Sequence, residues 1–479
     1  MESIISGIND IVWSNALVFL CMAAGIYFSV VTRFLQIRYI KEMWRLLFDG
    51  KSSEQGVSSF QAFALAISGR VGTGNIAGVA TAIAMGGPGA IFWMWLIAFL
   101  GSASAFIEAT LGQIYKQVNK GQYRGGPAYY IEKGLGIKWY ATLFSVATII
   151  SMAFLLPGTQ SNSIALSMQN AFQVPVAYTG IGLAILLGLI IFGGVKRIGK
   201  VAEIVVPFMA GAYILMAIII MALNITEIPS VIALIIKSAF NLEPAFAGVF
   251  GMAIAWGVKR GIYSNEAGQG TAPHAAAAAE VSHPVKQGLV QAFSVYIDTL
   301  FVCTATAFMI LFTGQYNVVN PEGGFLVENI PGATIGAEFT QLAVGEHFPA
   351  IGSGFVAFSL LFFAFTTIMA YYYIAETNLT YLDKTGNKWL LNALRVLMLA
   401  GTIFGAVKTA EAAWMLGDIG VGVMAWLNVI AILLLRKPAL KALKDYQEQR
   451  RAGKDPVFDA EALGIKNTDQ WANGNSSSK

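Results

Sequence analysis

The chain has 479 residues, of which 56% are hydrophobic and 12% are charged, and its formal net charge is +4. A charged fraction about half that of an ordinary soluble domain excludes a normal globular protein and indicates a polytopic membrane protein. The small net charge, carried by basic residues in loops beside apolar runs, gives no sign of a nucleic-acid partner.

Apolar windows of the length that crosses a bilayer as a helix, about 20 residues, recur along the whole chain. The runs are continuous rather than alternating at period two, which favours helices over a β-barrel. In chain order, the predicted spans are 11–33, 57–84, 89–115, 139–171, 177–194, 198–223, 244–280, 287–313, 351–382, 388–407 and 411–435. We therefore expect an all-α polytopic membrane protein with about 11 transmembrane helices.

Three segments need separate interpretations. The first span, 11–33, is long, has no basic stretch before it and is followed by basic residues, so we expect it to be retained rather than cleaved as a signal peptide. Segment 228–241 is apolar but short, and we expect it to lie along the outer surface. The polar segment 436–479 ends in NGNSSSK and is predicted to be a cytoplasmic tail with a disordered tip.

Positively charged residues predict the orientation. Segments 33–51 and 116–138 each hold five Lys or Arg residues, 194–200 holds three, and the tail begins with a basic stretch. The intervening loops, among them 86–89 and 314–350, hold none. Because loops rich in Lys and Arg stay on the cytoplasmic side, the N-terminus is predicted to lie outside the cell and the C-terminus inside it.

The second predicted span contains a stretch, ALAISGRVGTGNIAGVATA at 64–82, that is poorly suited to a continuous membrane helix. Three glycines fall within six residues, and Arg70 and Asn75 stand among them. The seventh predicted span has a matching stretch, WGVKRGIYSNEAGQGT at 256–271, with four glycines, two adjacent cations and a polar cluster. Each stretch predicts a break in its helix.

The two stretches open two blocks of five predicted spans, 57–223 and 244–435, with 11–33 as an extra helix before them. An odd number of spans inverts the second block relative to the first, which is typical of an inverted-repeat transporter. Unwound backbone at membrane depth is tolerated where it lines a protein-enclosed cavity, and there freed carbonyls bind cations and freed amides bind anions. Glycines that serve only as packing notches between helices are the alternative interpretation.

Two motifs resemble a known family. The segment GGPGAIFWMWLIAFLG at 86–101 resembles the signature of the sodium:alanine symporters, also called alanine or glycine:cation symporters, and GVKRGIYSNEAGQGT at 257–271 resembles a second stretch typical of them. The resemblance extends from about residue 10 to the region of Trp471. It implies sodium-coupled uptake of small amino acids, chiefly alanine and glycine, across a prokaryotic cell membrane. The implied fold is like that of the bacterial leucine transporter and the amino acid/polyamine/organocation superfamily.

The resemblance also implies a substrate site at the first break. In the superfamily the first broken helix reads G-x-G-N, which is matched by Gly72, Thr73, Gly74 and Asn75. By this similarity, the amides of Thr73 and Gly74 hold the substrate carboxylate. From the second stretch, the candidate substrate-binding residues are Trp256, Ser264, Asn265, Glu266 and Gly268.

For sodium, the resemblance implies a site near the same break. The implied ligands are the carbonyls of Ser68 and Val71 and the adjacent hydroxyls of Thr366 and Thr367 in the ninth span. Oxygen-only ligands of this kind suit a hard cation. The alternative is that both threonine hydroxyls bond to carbonyls of their own helix.

Ionisable residues inside predicted spans are candidate functional groups that need partners. Glu266 is expected either to hold the substrate ammonium or a gate, or to form a structural ion pair with Arg260 or Arg70. Asp298 is expected either to contact a cation or to hydrogen-bond across helices. Glu108 is expected to be the structural partner of a basic residue. The role of Arg70, as a gating charge or a structural partner, stays open.

The function that the sequence favours is a secondary transporter that carries a small zwitterion together with at least one sodium ion by alternating access. Proton coupling on the same fold is the alternative for the driving ion. A membrane enzyme is the rival from another class, but the sequence has no G-x-S-x-G, H-E-x-x-H or P-loop motif, and no organic cofactor is expected. A channel is disfavoured because repeated short filter segments are lacking.

Overall fold

The computed structural model describes residues 2–50, 52–192 and 195–471. The predicted disordered tip, NGNSSSK at 473–479, lies outside the described residues, as does Lys51, one of the basic residues used to predict the orientation. Within the described ranges most of the chain is α-helical, and the strands found there form two short antiparallel hairpins.

The N-terminal segment differs from its prediction. The predicted span 11–33 is observed as α2 (Asn15–Val31), and a separate helix, α1 (Glu2–Val12), precedes it. Ser14 is extended, with φ −56° and ψ 159°, which separates the two helices. Isoleucines recur at helical spacing among polar residues along α1, so its mean hydropathy is lower than that of α2. Two short helices follow, α3 (Leu35–Arg38) and α4 (Ile40–Leu47).

The first predicted block, 57–223, begins with a helix that has a capping box: Ser58 Oγ accepts the Gln61 N–H, and Gln61 Oε1 accepts the Ser58 N–H. The helices of this block are α5 (Ser59–Arg70), α6 (Val79–Gly86), α7 (Ala90–Ile114), α8 (Pro127–Tyr130), α9 (Lys138–Ile150), α10 (Leu156–Phe172), α11 (Val176–Ile191) and α12 (Val195–Leu223). The π-helical segments are Gly74–Gly78, Ile131–Leu135 and Ser151–Leu155. Strands β1 (Gln117–Asn119) and β2 (Gln122–Arg124) pair between α7 and α8.

The second predicted block, 244–435, is preceded by α13 (Ile228–Ala239), the short apolar segment. The helices after it are α14 (Phe250–Asn265), α15 (Ala272–Ala278), α16 (Pro284–Tyr296), α17 (Thr304–Thr313), α18 (Ala337–His347), α19 (Gly352–Leu382), α20 (Lys388–Ala406), α21 (Ala410–Leu434) and α22 (Arg436–Arg451). The π-helical segment Ile297–Cys303 joins α16 to α17. Strands β3 (Asn317–Val319) and β4 (Phe325–Glu328) pair in the loop before α18.

Eight helical runs in the described part of the chain are long and apolar enough to cross a membrane. Two shorter apolar helices, Gly74–Gly86 and Val176–Ile191, occur beside them. This architecture agrees with the all-α polytopic class that the composition predicts, while the total of 11 crossings stays a prediction.

The long helices pack as two groups. In one group α7 packs against α2, α14, α15 and α16, and in the other α10 packs against α19, α20 and α21. Gly405 of α20 lets its helix touch the backbone of α10 at Gly158, because a Cβ on Gly405 would overlap Gly158 Cα. Helix α12 packs against α5, α17 and α19.

The tail packs onto the protein as far as Trp471. After α22 the chain returns to the loop between α15 and α16, where the Phe458 N–H donates to the Ser282 carbonyl at 3.0 Å. The Ser282 hydroxyl donates to the Pro456 carbonyl at 2.8 Å. The Trp471 indole N–H donates to the Gln113 carbonyl at the end of α7, at 2.9 Å. The tail is therefore held at several points along its length.

His283 fastens the tail to the same loop. Its ring is buried between the rings of Tyr446 and Phe458. Its Nδ1 accepts the Val285 N–H at 3.2 Å, and its Nε2 lies 3.1 Å from Asp445 Oδ2. A ring that accepts at Nδ1 and donates at Nε2 is neutral. Burial lowers the pKa of His283 below its usual value, although the hydrogen bond with Asp445 raises it.

We expect the tail to loosen on acidification. The folded state binds fewer protons at His283 than the unfolded chain does, so the attachment is strongest above about pH 6.5, the usual histidine pKa. It is lost as the pH falls through the lowered pKa of the folded state. The nearby charge of Lys286 opposes protonation and that of Asp455 favours it. Limited proteolysis of the tail should be faster near pH 5 than near neutral pH.

The variant His283→Asn is the control for this prediction. An asparagine oxygen also accepts a backbone N–H at a helix N-cap but does not titrate in this range. Its proteolysis should show no such dependence on pH. A variant that still loosens between neutral pH and pH 5 would assign the effect to another group.

Candidate functional site

The first break lies between α5 and α6, where Val71 and Gly72 are not helical. Val71 has φ −77° and ψ 89°, and helical structure resumes at Thr73. The freed Gly72 N–H donates to Asn75 Oδ1 at 2.9 Å, and the freed Thr73 N–H donates to Gln160 Oε1 of α10 at 2.9 Å. The Thr73 amide that is predicted to bind a carboxylate therefore meets a side-chain oxygen here.

Two of the four predicted sodium ligands meet at this break. Thr367 Oγ1 of α19 lies 3.3 Å from the Val71 carbonyl oxygen and also donates to the Phe363 carbonyl at 3.0 Å. A Cβ built on Gly72 would lie 2.6 Å from Thr367 Oγ1 and 2.8 Å from Gln160 Oε1. Glycine is therefore what lets α19 and α10 approach the unwound backbone this closely.

The other two predicted ligands make local contacts. Ser68 stands on the last turn of α5, and its hydroxyl donates to the Leu65 carbonyl at 2.7 Å. The Thr366 hydroxyl donates to the Phe363 carbonyl at 2.9 Å and lies 3.9 Å from Met209 Sδ of α12. Thr366 therefore bonds to its own helix, which is the alternative interpretation. Thr367 bonds both to its own helix and to the Val71 carbonyl at the break.

The second break separates α14 from α15. Glu266, Gly268 and Gly270 have φ values of 55°, 81° and 88°, a region that favours glycine. The freed N–H groups of Gly268 and Gly270 donate to the two oxygens of Glu108, at 3.3 and 3.1 Å, and Asn428 Nδ2 donates to the same carboxylate at 2.7 Å. In place of the expected basic partner, Glu108 thus has amide partners, because the break frees backbone donors that a buried carboxylate satisfies.

The other two glycines of this stretch, Gly257 and Gly261, lie inside α14 and are packing notches. A Cβ on Gly257 would lie 2.5 Å from the Ala90 carbonyl oxygen of α7, and one on Gly261 would overlap Ile97 of the same helix. The packing interpretation therefore holds for these two glycines, whereas the later pair forms the break.

Asp298 connects the two broken helices. Its carboxylate accepts hydrogen bonds from Asn75 Nδ2 at 2.6 Å and from Ser264 Oγ of α14 at 2.9 Å. Thr299 Oγ1 donates to it at 2.7 Å and accepts from Asn265 Nδ2 at 3.3 Å. All of these residues are buried. The structure therefore brings the predicted residues of both stretches together, and Asp298 hydrogen-bonds across helices, one of its two expected roles.

Glu266 and Arg70 are both buried, and neither forms an ion pair within 4 Å in the described chain. Arg70 Nη1 donates to the Gln291 carbonyl at 3.0 Å and to Ser294 Oγ. Arg70 Nε and Nη2 and Glu266 Oε1 have no hydrogen-bond partner among the described residues. The expected ion pair with Arg70 or Arg260 is not observed, because Arg70 reaches toward α16 and Arg260 has another partner.

Arg260 lies in a cavity of about 900 Å³ that we call the vestibule. Its guanidinium donates to the two carboxylate oxygens of Asp418 at 2.7 and 3.0 Å, and Lys259 Nζ lies 2.7 Å from Asp418 Oδ2. The guanidinium carbon lies 4.4 Å from the ring centre of Trp414 and 5.0 Å from that of Trp256. Trp256, a candidate for enclosing the substrate, is therefore placed with these cations.

A second cavity, of about 380 Å³, lies beside the start of α5. It is lined by Gln61, Leu65, Tyr123, Ala278 and Tyr373, among others. The vestibule instead borders Thr81 and Met85 of α6. The two cavities therefore lie toward opposite ends of the first broken helix, with the break between them.

Over residues 1–460 the chain matches the family model described as the sodium:alanine symporter family. The chain belongs to the sodium:alanine symporter family. The resemblance carried by 86–101 and 257–271 is thereby confirmed.

Two bacterial relatives align with nearly the whole of this symporter-family chain. The putative sodium/proton-dependent alanine carrier protein YrbD of Bacillus subtilis strain 168 is 64% identical over 472 residues, 98% of each chain. The sodium/proton-dependent alanine carrier protein of Bacillus sp. strain PS3 is 56% identical over 439 residues, 90% of this chain and 97% of the relative. The chain is accordingly a multi-pass membrane transporter and not an enzyme.

A solved structure of a Na⁺-coupled sialic acid symporter, in a substrate-bound outward-open state, has a similar fold. The TM-score is 0.52 at 13% sequence identity, and the similarity covers 96% of this chain and 95% of that chain. At this level of identity the similarity shows the fold alone. This chain therefore has the leucine-transporter-like fold that the sequence resemblance implies.

Three residues of these sites, Gln160, Asp418 and Asn428, are absent from the sequence-based predictions. Each is a polar side chain within an apolar span, the same signal that selects Asp298. Asp418 in LGDIG is the clearest, since it is ionisable. Polarity alone does not tell which of the polar residues in a span faces the broken helices; for Gln160 the hydrogen bond from the Thr73 amide shows it.

Proposed function

We propose that this symporter couples sodium entry to the uptake of a small zwitterionic amino acid, chiefly alanine and also glycine, across a prokaryotic cell membrane. The observation that carries the proposal is that the Thr73 amide, the Val71 carbonyl and the Thr367 hydroxyl meet at the first break. An anion-binding donor and cation-binding oxygens thus stand within a few residues of each other. The names of the two relatives, each printed as a sodium/proton-dependent alanine carrier protein, support the same substrate and include sodium as an ion.

The substrate carboxylate binds the amides of Thr73 and Gly74 in this proposal. Gln160 Oε1 accepts from the Thr73 amide in the structure, so an arriving carboxylate takes over that hydrogen bond. The ammonium faces Glu266, whose Oε1 is a buried acceptor without a partner among the described residues. A Cβ on Gly74 would lie 3.1 Å from Ser264 Cα, and such close packing suits a small substrate side chain.

Sodium binds the carbonyls of Ser68 and Val71 and the hydroxyls of Thr366 and Thr367. Thr366 reaches the ion after its hydroxyl rotates away from its own helix. Sodium at this position orders the unwound backbone that also presents the amides to the carboxylate. Each ligand therefore lowers the free energy of ordering the site for the other, and this is the source of coupling.

Alternating access follows from the two cavities at opposite ends of the first broken helix. We take 57–223 and 244–435 as inverted repeats, with the N-terminus outside and the C-terminal tail in the cytoplasm. The helices that carry both breaks rock against the group centred on α10. The Arg260–Asp418 pair then acts as the outer gate, since it connects α14 to α21 across the vestibule.

Uptake of labelled alanine by proteoliposomes tests this function. We expect uptake with an inward sodium gradient and little uptake when choline replaces sodium, at several pH values. Equal uptake in sodium and choline would refute sodium coupling. Uptake that instead follows an imposed proton gradient would favour the proton-coupled alternative.

We expect Thr367→Val to raise the sodium concentration for half-maximal uptake about tenfold, which corresponds to about 1.4 kcal/mol. Valine keeps the shape of threonine but removes the hydroxyl that reaches Val71. The matched control is Thr402→Val in α20, where an equally buried hydroxyl donates to the Met398 carbonyl of its own helix. An unchanged sodium response in Thr367→Val, or an equal shift in Thr402→Val, would exclude the proposed ion site.

A further inference from the structure

Trp13 lies at the junction of α1 and α2 and lines the vestibule. The junction is fastened to α21, because the Trp426 indole N–H donates to the Val12 carbonyl at 2.9 Å. Gly422 of α21 packs so closely against the junction that a Cβ on it would lie 3.0 Å from Trp13 Nε1. We therefore expect the N-terminal segment to move together with α21.

Trp13 contacts both partners of one vestibule ion pair. Its indole N–H donates to the backbone carbonyl of Asp418 at 2.7 Å. Its ring centre lies 5.4 Å from Lys259 Nζ, which is 2.7 Å from Asp418 Oδ2. Asp418 belongs to α21 and Lys259 to α14, so one indole bridges the helix with the acid and the broken helix with the cations.

We propose that Trp13 is a positioning residue that stabilises the closed outer gate, an inference that rests on the proposed role of the Arg260–Asp418 pair. The indole hydrogen bond keeps Trp13 with α21, because a backbone carbonyl moves with its helix. The contact with Lys259 exists only while α14 is close to α21, so it is lost when the gate opens. The N-terminal segment thus supplies an attraction that favours the closed state from outside both five-span blocks.

The rest of α1 supports the same role. Asn9 and Asp10 line the vestibule with Lys259 and Arg260. The carboxylate of Asp10 adds negative charge on the side of the N-terminal segment, which attracts the cations of α14. The second ring beside Lys259 is that of Trp256, 5.0 Å from Nζ. Lys259 therefore has attractive partners on the N-terminal segment, on α14 and on α21.

Hydrogen exchange of the full-length protein in lipid nanodiscs with sodium tests the proposal. Trp13→Leu removes both contacts, and Trp13→Phe removes the indole hydrogen bond but keeps a ring for Lys259. In Trp13→Leu we expect amides around Lys259 and Asp418 to exchange about fivefold faster, because a contact of the closed state is lost. Trp13→Phe, which keeps most of the ring volume, should show a smaller increase at the same amides.

The matched control is Trp426→Phe. It removes the hydrogen bond that fastens Val12 to α21 and leaves the contacts of Trp13 with Asp418 and Lys259, so exchange should rise in α1 alone. If Trp13→Leu also speeds exchange only in α1, Trp13 is merely an anchor and the proposal is overturned. Exchange is measured without transport, so this result is independent of alanine uptake, and failure of uptake by the unmodified protein separately refutes the proposed function.

Discussion

The substitution Gly72→Ala is expected to reduce sodium-driven alanine uptake about 5- to 150-fold while the protein still assembles in the membrane. The new Cβ would lie 2.6 Å from Thr367 Oγ1 and 2.8 Å from Gln160 Oε1. It therefore separates the hydroxyl from the Val71 carbonyl and the side-chain oxygen from the Thr73 amide. The atoms that must move are the ends of side chains, so the overpacking destabilises folding by about 1–3 kcal/mol.

The control for this prediction is Gly182→Ala in α11, where a built Cβ meets no atom within 4 Å. Alanine in the interior of a helix is more favourable than glycine by roughly 1 kcal/mol, so this variant should keep its uptake and its thermal stability. Both variants need purification and reconstitution at equal protein density. Unchanged uptake by Gly72→Ala would show that the crowded first break is not where sodium and substrate bind.

The substitution Asp418→Asn is expected to have the largest effect in the vestibule, on both stability and uptake. Asp418 is the acidic partner of both Arg260 and Lys259, and Asp418 and Arg260 are almost entirely buried. Removing one partner of a buried ion pair while leaving the other typically destabilises a protein by about 3–5 kcal/mol. Here two neighbouring cations lose their counter-charge. A lower melting temperature and the loss of uptake in proteoliposomes are the expected results.

Two further variants isolate the role of this pair. Glu411→Gln changes an exposed acid on the same helix and in the same cavity, and its stability should stay within about 0.5 kcal/mol of the unmodified protein. Lys259→Gln should have an intermediate effect, because both hydrogen bonds between Arg260 and Asp418 remain. If Asp418→Asn behaves like Glu411→Gln, the ion pair contributes neither to stability nor to gating.

The positions of the two breaks could be predicted because glycines and polar residues are conspicuous in apolar runs. The structure confirms both, at Val71 and Gly72 and again around Gly268 and Gly270. The family and its fold were also accessible from the sequence, since a long motif such as 86–101 is specific. These features are local, and a window of some 20 residues contains all the information they need.

The partners of the buried charges could not be predicted in the same way. Glu108 and Asn428 are 320 residues apart in the chain, and Arg260 and Asp418 are 158 apart. Hydropathy locates a span but does not give its rotation about its own axis, which decides what each polar side chain faces. The expectation of a basic partner for Glu108 failed for a related reason: backbone amides become donors only where the helix is interrupted.

The contact between Glu108 and the second break bears on the orientation in which a substrate binds, because it occupies amides that a substrate carboxylate could otherwise use. Two interrupted helices in inverted repeats offer two sets of unpaired amides, each able to receive a carboxylate. The chain fills the second set with its own carboxylate, at Gly268 and Gly270. On the proposed inverted repeats, this carboxylate removes the symmetry that would otherwise allow a zwitterion to bind in two opposite directions. We therefore expect a single head-to-tail arrangement of ammonium and carboxylate at the proposed site.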